Sequence, residues 1–333
     1  MGRKTLCLLT AFVITVGFFS PIEPLAAPYY EGKRIKIVDG VSGGYAAIAR
    51  ILAKYLPEYI PGKPTFYLED MQGADSIIAA NYVYNVAKPD GLTLGIVNRG
   101  LPFAALLKAE GVKFDIRKFS WIGSPTVESN VITIRSDLPY KTVKDLQEAK
   151  TPIKLGASGP NSSSTHFPLL LNEFAGTKFK MVFYLSSPEI ALAIARKEID
   201  GKATSYGSFR KEIETGVYRS FIRSRISEPE IENLPVDEDL TTSPLGKKLM
   251  AMRTGPDWIG RPYVAPPNTP PEIMNILLEA FGKACQNPEV KAMLVKIGMR
   301  PQWVPADQCR KILDDLFNQP PDVVKEFSRY VKF

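Results

Sequence analysis

Lys33 to Ala53 is the stretch that most restricts what this chain can fold into. Lys33-Arg34-Ile35-Lys36-Ile37-Val38 alternates into an apolar strand, Gly40-Val41-Ser42-Gly43-Gly44 breaks it, and Ile48, Ile51, Leu52 and Tyr55 then recur at helical spacing. Strand, glycine turn and helix follow one another without a spare residue. Glycines let the backbone come close to a ligand, and the first amides of a helix are unpaired donors at the positive end of its dipole, so a carboxylate or phosphate is the natural guest. By itself the stretch fits a tight connection in any α/β protein equally well. Two named motifs are missing: the chain has neither the dinucleotide fingerprint G-x-G-x-x-G nor a P-loop.

The pattern then repeats. Thr65 to Glu69 reads as a strand, Met71-Gln72-Gly73-Ala74-Asp75 as a turn and Ser76 to Val86 as a small-residue helix; Pro89-Asp90-Gly91 stops it before a strand over Leu92 to Val97. Three such units end at loops on one edge of a parallel sheet, where open α/β folds bind ligands. A second set follows. It comprises a strand at Ile153 to Ala157, the hydroxyl-rich turn Ser158 to Thr165, a helix from His166 to Ala175, a strand at Lys180 to Tyr184 and a helix capped by Ser187-Pro188-Glu189. Asp200-Gly201 turns into a strand at Lys202 to Tyr206. Ser227 to Leu245, acidic and proline-bearing, reads as a surface excursion. Tyr263-Val264-Ala265 returns as a strand, and capping boxes are expected at Thr142/Asp145 and at Thr269/Glu272.

Residues 1–27 read as a secretory signal peptide: Arg3 and Lys4, an apolar run from Leu6 to Val16, then Ala26-Ala27. The run falls short of the roughly 20 residues that a membrane span requires. Without the leader the chain keeps 40 basic and 34 acidic residues, a formal charge of +6, with no basic patch interleaved with aromatics. We therefore expect no nucleic-acid partner and a surface that favours anionic solutes. Two cysteines remain, Cys285 and Cys309, and an oxidising compartment leads us to expect a disulfide between them.

Catalysis finds little support in the residues. His166 is the only histidine, G-x-S-x-G is absent, and no metal-ligand spacing occurs, so we expect no catalytic residue, no metal site and no cofactor.

Several segments, taken in order, resemble one family. They are the Ile37-Val38 strand with Gly43-Gly44 and Ala49-Arg50; Gln72-Gly73-Ala74; Ala79-Ala80-Asn81-Tyr82; Pro89-Asp90-Gly91; the serine loop with His166; and Arg261-Pro262-Tyr263 with Ala265-Pro266-Pro267. The chain resembles the tripartite tricarboxylate transporter receptors, the Bug-type extracytoplasmic solute-binding proteins. That resemblance implies an α/β, two-lobed periplasmic-binding-protein fold of type II, with two crossings and a ligand cleft between the lobes. The limits expected are 28–129 for the first part of lobe 1, 130–254 for lobe 2 and 255–333 for the return to lobe 1.

The resemblance further implies a monomer in the periplasm that captures a small organic carboxylate (a di- or tricarboxylate, or an aromatic acid) for the membrane subunits of a tripartite tricarboxylate-type transporter. By its pattern, the loops after Val38, Asp70 and Val97 line one wall and those after Ala157, Tyr184 and Ser205 the other. The ligand-binding candidates on the first wall are Ser42, Gly43, Gly44, Tyr45, Gln72, Gly73, Ala74, Asn98 and Arg99. On the second they are Ser158, Asn161, Ser162, Ser163, Ser164, Thr165, Tyr184, Ser186 and Tyr206. Arg99 reads equally as a charge-assisted donor or as a stem packed along the lobe. Two departures stand out: Tyr45-Ala46-Ala47 where the family has an aspartate, and Asp75 where it has glycine, which we expect to point away from the cleft. A sensing receptor or an exported enzyme acting on a small carboxylate stays open as the alternative.

Overall fold

The computed structural model describes residues 27–41, 43–159, 162–184 and 187–333. Residues 1–26 of the expected leader, and Ser42, Asn161 and Ser186 of the expected site, lie outside them. Strand β1 (Arg34–Asp39) turns into helix α1 (Gly44–Tyr55), and the chain continues through β2 (Thr65–Asp70), α2 (Ile77–Asn85) and β3 (Thr93–Ile96). Both β2 and β3 pair with β1 in parallel, one on each side. The short α3 (Leu101–Leu106) leads to β4 (Ser120–Val127), and two residues beyond β4 the chain has entered a second sheet as β5 (Asn130–Arg135).

The second sheet is built from α4 (Val143–Gln147), β6 (Ile153–Ala157), α5 (Ser163–Ala175), β7 (Phe179–Phe183), α6 (Ser187–Ala195), β8 (Gly201–Ser205), α7 (Arg210–Glu214) and β9 (Tyr218–Arg223), with strand order β7-β6-β8-β5-β9. Helix α8 (Pro244–Ile259) carries the chain back to β10 (Tyr263–Ala265). It is followed by α9 (Pro271–Gln286), α10 (Pro288–Lys296), β11 (Arg300–Pro305), α11 (Ala306–Phe317) and α12 (Pro321–Phe327). The first sheet thereby reads β11-β4-β10-β3-β1-β2, with β10 antiparallel between β3 and β4.

The period-2 pattern of the strands decides which helices cover which face. Ile35, Ile37, Leu94, Ile96, Ile122, Tyr263 and Ala265 point into a core closed by α1 and α9. Their neighbours Val38, Val97, Trp121 and Val264 point the other way, into a core closed by α2 and α11. This corrects the disulfide expectation. Cys285 of α9 and Cys309 of α11 are both buried and free, and they belong to cores on opposite faces of the sheet. A bridge needs Cα atoms within about 7 Å, which a sheet standing between two helix layers forbids.

Three further differences from the sequence reading have physical causes. Ser227 to Leu245 is no simple surface excursion, because it buries Glu228 and Asp237, each beside an arginine, Arg210 and Arg253. Thr269 does not cap α9; its hydroxyl donates to Pro266 O, leaving Pro270 at the cap, whereas the box at Thr142 and Asp145 forms. Helix α12 packs with Tyr330 and Val331 into the core of the second sheet, alongside Phe167, Leu249 and Met250, so the C-terminal segment straps both lobes. No helix among the described residues is long and apolar enough to cross a membrane.

Candidate functional site

A cavity of about 410 Å³ opens between the sheets, within the roughly 300–1,000 Å³ usual for small-molecule sites. The first lobe contributes Val41 from the turn after β1, Tyr45 from the first turn of α1, Asp75, and Asn98 to Leu101 from the turn after β3. Opposite them stand Ser158, Ser162, Ser163 and His166 around the start of α5. Arg253, Pro256 and Asp257 of α8 form the floor where the chain crosses between lobes.

Local chemistry sets each loop. Asp39, at the end of β1, accepts from Val41 N at 2.9 Å, and Gly43 follows at φ 59°, a left-handed conformation that favours glycine. The N-cap Gly43 has no side chain to offer a cap bond and no acid lies in the first turn, so among the described residues nothing negative competes for the amides of α1. After β3, Asn98 Oδ1 accepts from Gly100 N at 2.8 Å, closing an Asx turn, and Arg99 N donates to the Tyr45 hydroxyl at 3.2 Å. The α5 turn is bound into itself. Ser162 Oγ accepts from Ser164 N at 3.2 Å, Ser158 N donates to Ser164 Oγ at 3.2 Å, and the Thr165 hydroxyl donates to Gly159 O.

Below the cavity, the two crossings are tied into one cluster of charge. Glu128 N donates to Asp257 O at 3.0 Å, joining the crossing after β4 to the end of α8. Asp257 Oδ1 faces Arg99 Nε at 3.1 Å, while its Oδ2 accepts from Asn130 Nδ2 at 2.6 Å and Arg253 Nη1 at 3.3 Å. Glu128 pairs with Arg261 and, at 3.5 Å, with Arg99. Arg253 also reaches Asp237 at 3.2 Å and lies over the Phe167 ring, 4.2 Å from its centroid. Gly260 ends α8 at φ 64°, where a Cβ would stand 1.8 Å from the carbonyl oxygen of Thr126; only glycine fits there.

Burial sets the protonation of these groups. It raises the carboxyl of Asp257, with Arg99 and Arg253 pulling the other way, and it raises Asp237 to about 6 against the pull of Arg253. His166 is held well below its ordinary value by burial and then by the fields of Arg253 and Arg99, so the imidazole is neutral at pH 7. Its Nδ1 is buried with no hydrogen-bond partner among the described residues, and its ring packs edge-on to Phe103.

Of the residues expected at the site, Tyr45, Asn98, Arg99, Ser158, Ser162 and Ser163 come together around the cavity, with Gly43 and Gly44 between the lining residues Val41 and Tyr45. Ser164 and Thr165 are buried, their hydroxyls spent inside the turn. Tyr206 belongs to a small core with Val131 and Ile231, its phenol raised to about 12 chiefly by burial, and Tyr184 packs against the core under α6. Neither lines the cavity, nor do Gln72, Gly73 and Ala74. Asp75 does, contrary to expectation, at the centre of three successive non-glycine residues with positive φ: Ala74, Asp75 and Ser76. The residues not anticipated are Leu101, Phe103, Ala104, Arg253, Pro256, Asp257 and Phe333. One signal was available for two of them, the i,i+4 spacing of Arg253 and Asp257.

The sequence pattern of the family described as "Tripartite tricarboxylate transporter family receptor" matches residues 48–328. The UPF0065 protein in the gbd 5' region of Cupriavidus necator is 26% identical over 328 residues, covering 96% of this chain and 95% of that one. Among solved structures, MatC from Rhodopseudomonas palustris with bound malate is similar at TM-score 0.66 and 18% identity, covering 90% of this chain and 99% of its own. A second R. palustris protein, solved with adipate, is similar at TM-score 0.67 and 17% identity, covering 90% of this chain and 97% of its own.

Proposed function

Since the chain belongs to the tripartite tricarboxylate transporter receptor family, we propose that it is a periplasmic receptor that captures a small organic carboxylate between its lobes for the membrane subunits of a transporter of that type. The observation that carries this reading is the facing of two helix starts across one cavity: the first turn of α1, which holds no acid, on one lobe, and on the other the first turn of α5 at Ser163, beside Ser158 and Ser162, whose hydroxyls are bonded to each other. Each presents donors at the positive end of a helix of twelve or more residues. A ligand resting on the amides of Gly43, Gly44 and Tyr45 at one end and on the start of α5 at Ser163 at the other draws the lobes toward each other, because a ligand held from both sides favours the closed state over the open one. Similar folds solved with malate and with adipate support an acid of this size. The ligand leaves unchanged.

The test is a thermal-shift screen across mono-, di-, tri- and aromatic carboxylates, followed by calorimetry on the best of them. A ligand at 100 times its Kd stabilises by about 2.7 kcal/mol. We expect saturable binding, chemical recovery of the ligand intact, and a loss of about ten-fold to over a hundred-fold in affinity for Ser163→Ala and for Gly43→Val, each of which removes or misplaces a donor to the charged end. No carboxylate binding, or turnover of a bound one, would sink the reading.

A further inference from the structure

The start of α5 holds a buried polar group that no hydrogen bond among the described residues satisfies. The hydroxyls of Ser158, Ser162 and Ser164 bond one another, and that of Thr165 donates to Gly159 O. His166, one turn into the same helix, lines the cavity with only 4% of its surface exposed; its imidazole makes no hydrogen bond among the described residues, and Nδ1 is buried. Buried polar groups in folded proteins are nearly always bonded, so an orphan in a cavity wall points to a partner from outside the chain, a water or a ligand.

The charges around the ring favour an anion as that partner. Arg253 of α8 and Arg99 of the turn after β3 both hold the imidazole neutral, no carboxylate among the described residues counters them at the ring, and the positive end of α5 adds a field of the same sign. The acids that pair with these arginines lie on their other sides, Asp237 and Asp257 for Arg253, Asp257 and Glu128 for Arg99. Phe103 of α3 packs edge-on to the ring, and Asp75 and Tyr45 stand on the opposite wall of the cavity.

Building on the receptor reading, we propose that His166 is a ligand-binding residue: a carboxylate of the bound acid sits against its imidazole at the start of α5, and the ring takes up a proton as the acid binds. The proton comes from solvent and returns to it when the acid leaves, and no bond of the acid is broken. In the empty cleft a positive imidazole would stand buried among like charges without a counter-ion. A carboxylate supplies that counter-ion and accepts a hydrogen bond from an imidazolium, which donates from both nitrogens. Because the occupied state then holds the proton more tightly than the empty one, binding strengthens as pH falls. A ring returned to its ordinary value of about 6.5 makes the affinity at pH 6 about four-fold higher than at pH 8. Asp75 and Asp257, raised by burial, and Asp237 beyond Arg253, raised to about 6, also lose negative charge as pH falls; their share persists when residue 166 cannot titrate.

His166 is the only histidine of the chain, so in untagged protein the imidazole resonances report this residue alone. The experiment is an NMR titration of that ring, free and saturated in turn with malate, adipate, citrate and benzoate, together with calorimetry of each acid at pH 6 and pH 8. The free ring is expected to titrate below 6.5 and to bind its proton at least about ten-fold more tightly when an acid is present. His166→Gln, which cannot titrate there, should lose the part of the affinity rise at pH 6 that the ring supplies, and His166→Leu should weaken binding about ten-fold or more at both pH values. A ring that titrates alike with and without a bound acid, or a pH profile unchanged in His166→Gln, overturns the inference, assigns the buried nitrogen to a water and leaves the receptor reading in place. The NMR comparison uses the wild-type chain and decides the matter even where a variant fails to fold. Failure of all four acids to bind is a different outcome and rejects the receptor reading itself.

Discussion

Replacing Asp257 with alanine should destabilise the whole protein, because this one carboxylate accepts from groups on three separated segments. It faces Arg99 at 3.1 Å, Arg253 at 3.3 Å and Asn130 at 2.6 Å, with its side chain 4% exposed. Hydrogen bonds to a charged group are worth roughly 1.5 to 3 kcal/mol each, but the three do not add, since Arg99 keeps Glu128, and Arg253 keeps Asp237 and the Thr254 hydroxyl. Asn130 Nδ2 donates only to Asp257 among the described residues, and its Oδ1 is buried without a partner among them. Removing one member of a buried pair costs about 3 to 5 kcal/mol. The burial that raises the Asp257 carboxyl offsets part of its worth, so the lower end, about 3 kcal/mol, is expected. Asp257→Asn keeps an acceptor for the arginines and should lose about half as much. Urea unfolding followed by circular dichroism measures both; with a slope of about 3 kcal/mol/M the alanine midpoint falls by about 1 M. A loss below about 1 kcal/mol with an unchanged slope would show that the cluster does not hold the crossings together.

His166 and Asp237 should pull the pH dependence of stability in opposite directions. The histidine's folded pKa lies below its unfolded value near 6.5, so its contribution is present above about pH 6.5 and is lost as pH falls below it; His166→Gln should flatten that slope in urea midpoints taken from pH 4.5 to 7.5. Asp237, raised from 3.8 to about 6, contributes stability that is present below about pH 4 and lost as pH rises to about 6, a slope that Asp237→Asn should remove. Gly260→Ala should cost at least about 2 kcal/mol in the same assay, since the new Cβ meets the backbone of Thr126 and no side chain can yield there. Thiol titration of the unreduced protein should find Cys285 and Cys309 silent when folded and both reactive once denatured; a bridged pair would refute the placement of α9 and α11 on opposite faces.

What could be read from the sequence was whatever depends on neighbours a few residues apart. Ile35, Ile37 and Val38 announce a strand and its two faces, the glycines after Asp39 announce the turn, and the three opening units fall where their periodicity puts them. Helix α8 was illegible because Gly246, Gly255 and Pro256 interrupt its pattern. The site divides in the same way. The turns after β1, β3 and β6 are punctuated locally and were found, whereas Glu128 with Arg261, and Asp257 with Arg99, meet only through the fold. On a helix an Arg-Asp pair four apart reads as a solvated face, and nothing local reveals that α8 buries it. Tyr206 failed for the converse reason: it follows a strand as a ligand-binding residue would, but Val131 and Ile231 claim its ring.

The place of β10 in the first sheet governs the order in which the protein can fold. Tyr263 pairs with Ile96 on one side and with Gly123 on the other, so the strand that joins β3 to β4 is supplied by a segment far downstream. Bringing such distant segments together is slow, because loop closure comes before any contact rewards it. The second sheet, by contrast, draws all its strands from the continuous run 130–223. The half of the chain made first is therefore the half completed last, and until residue 263 is available β3 and β4 present open edges to any other chain that can pair with them.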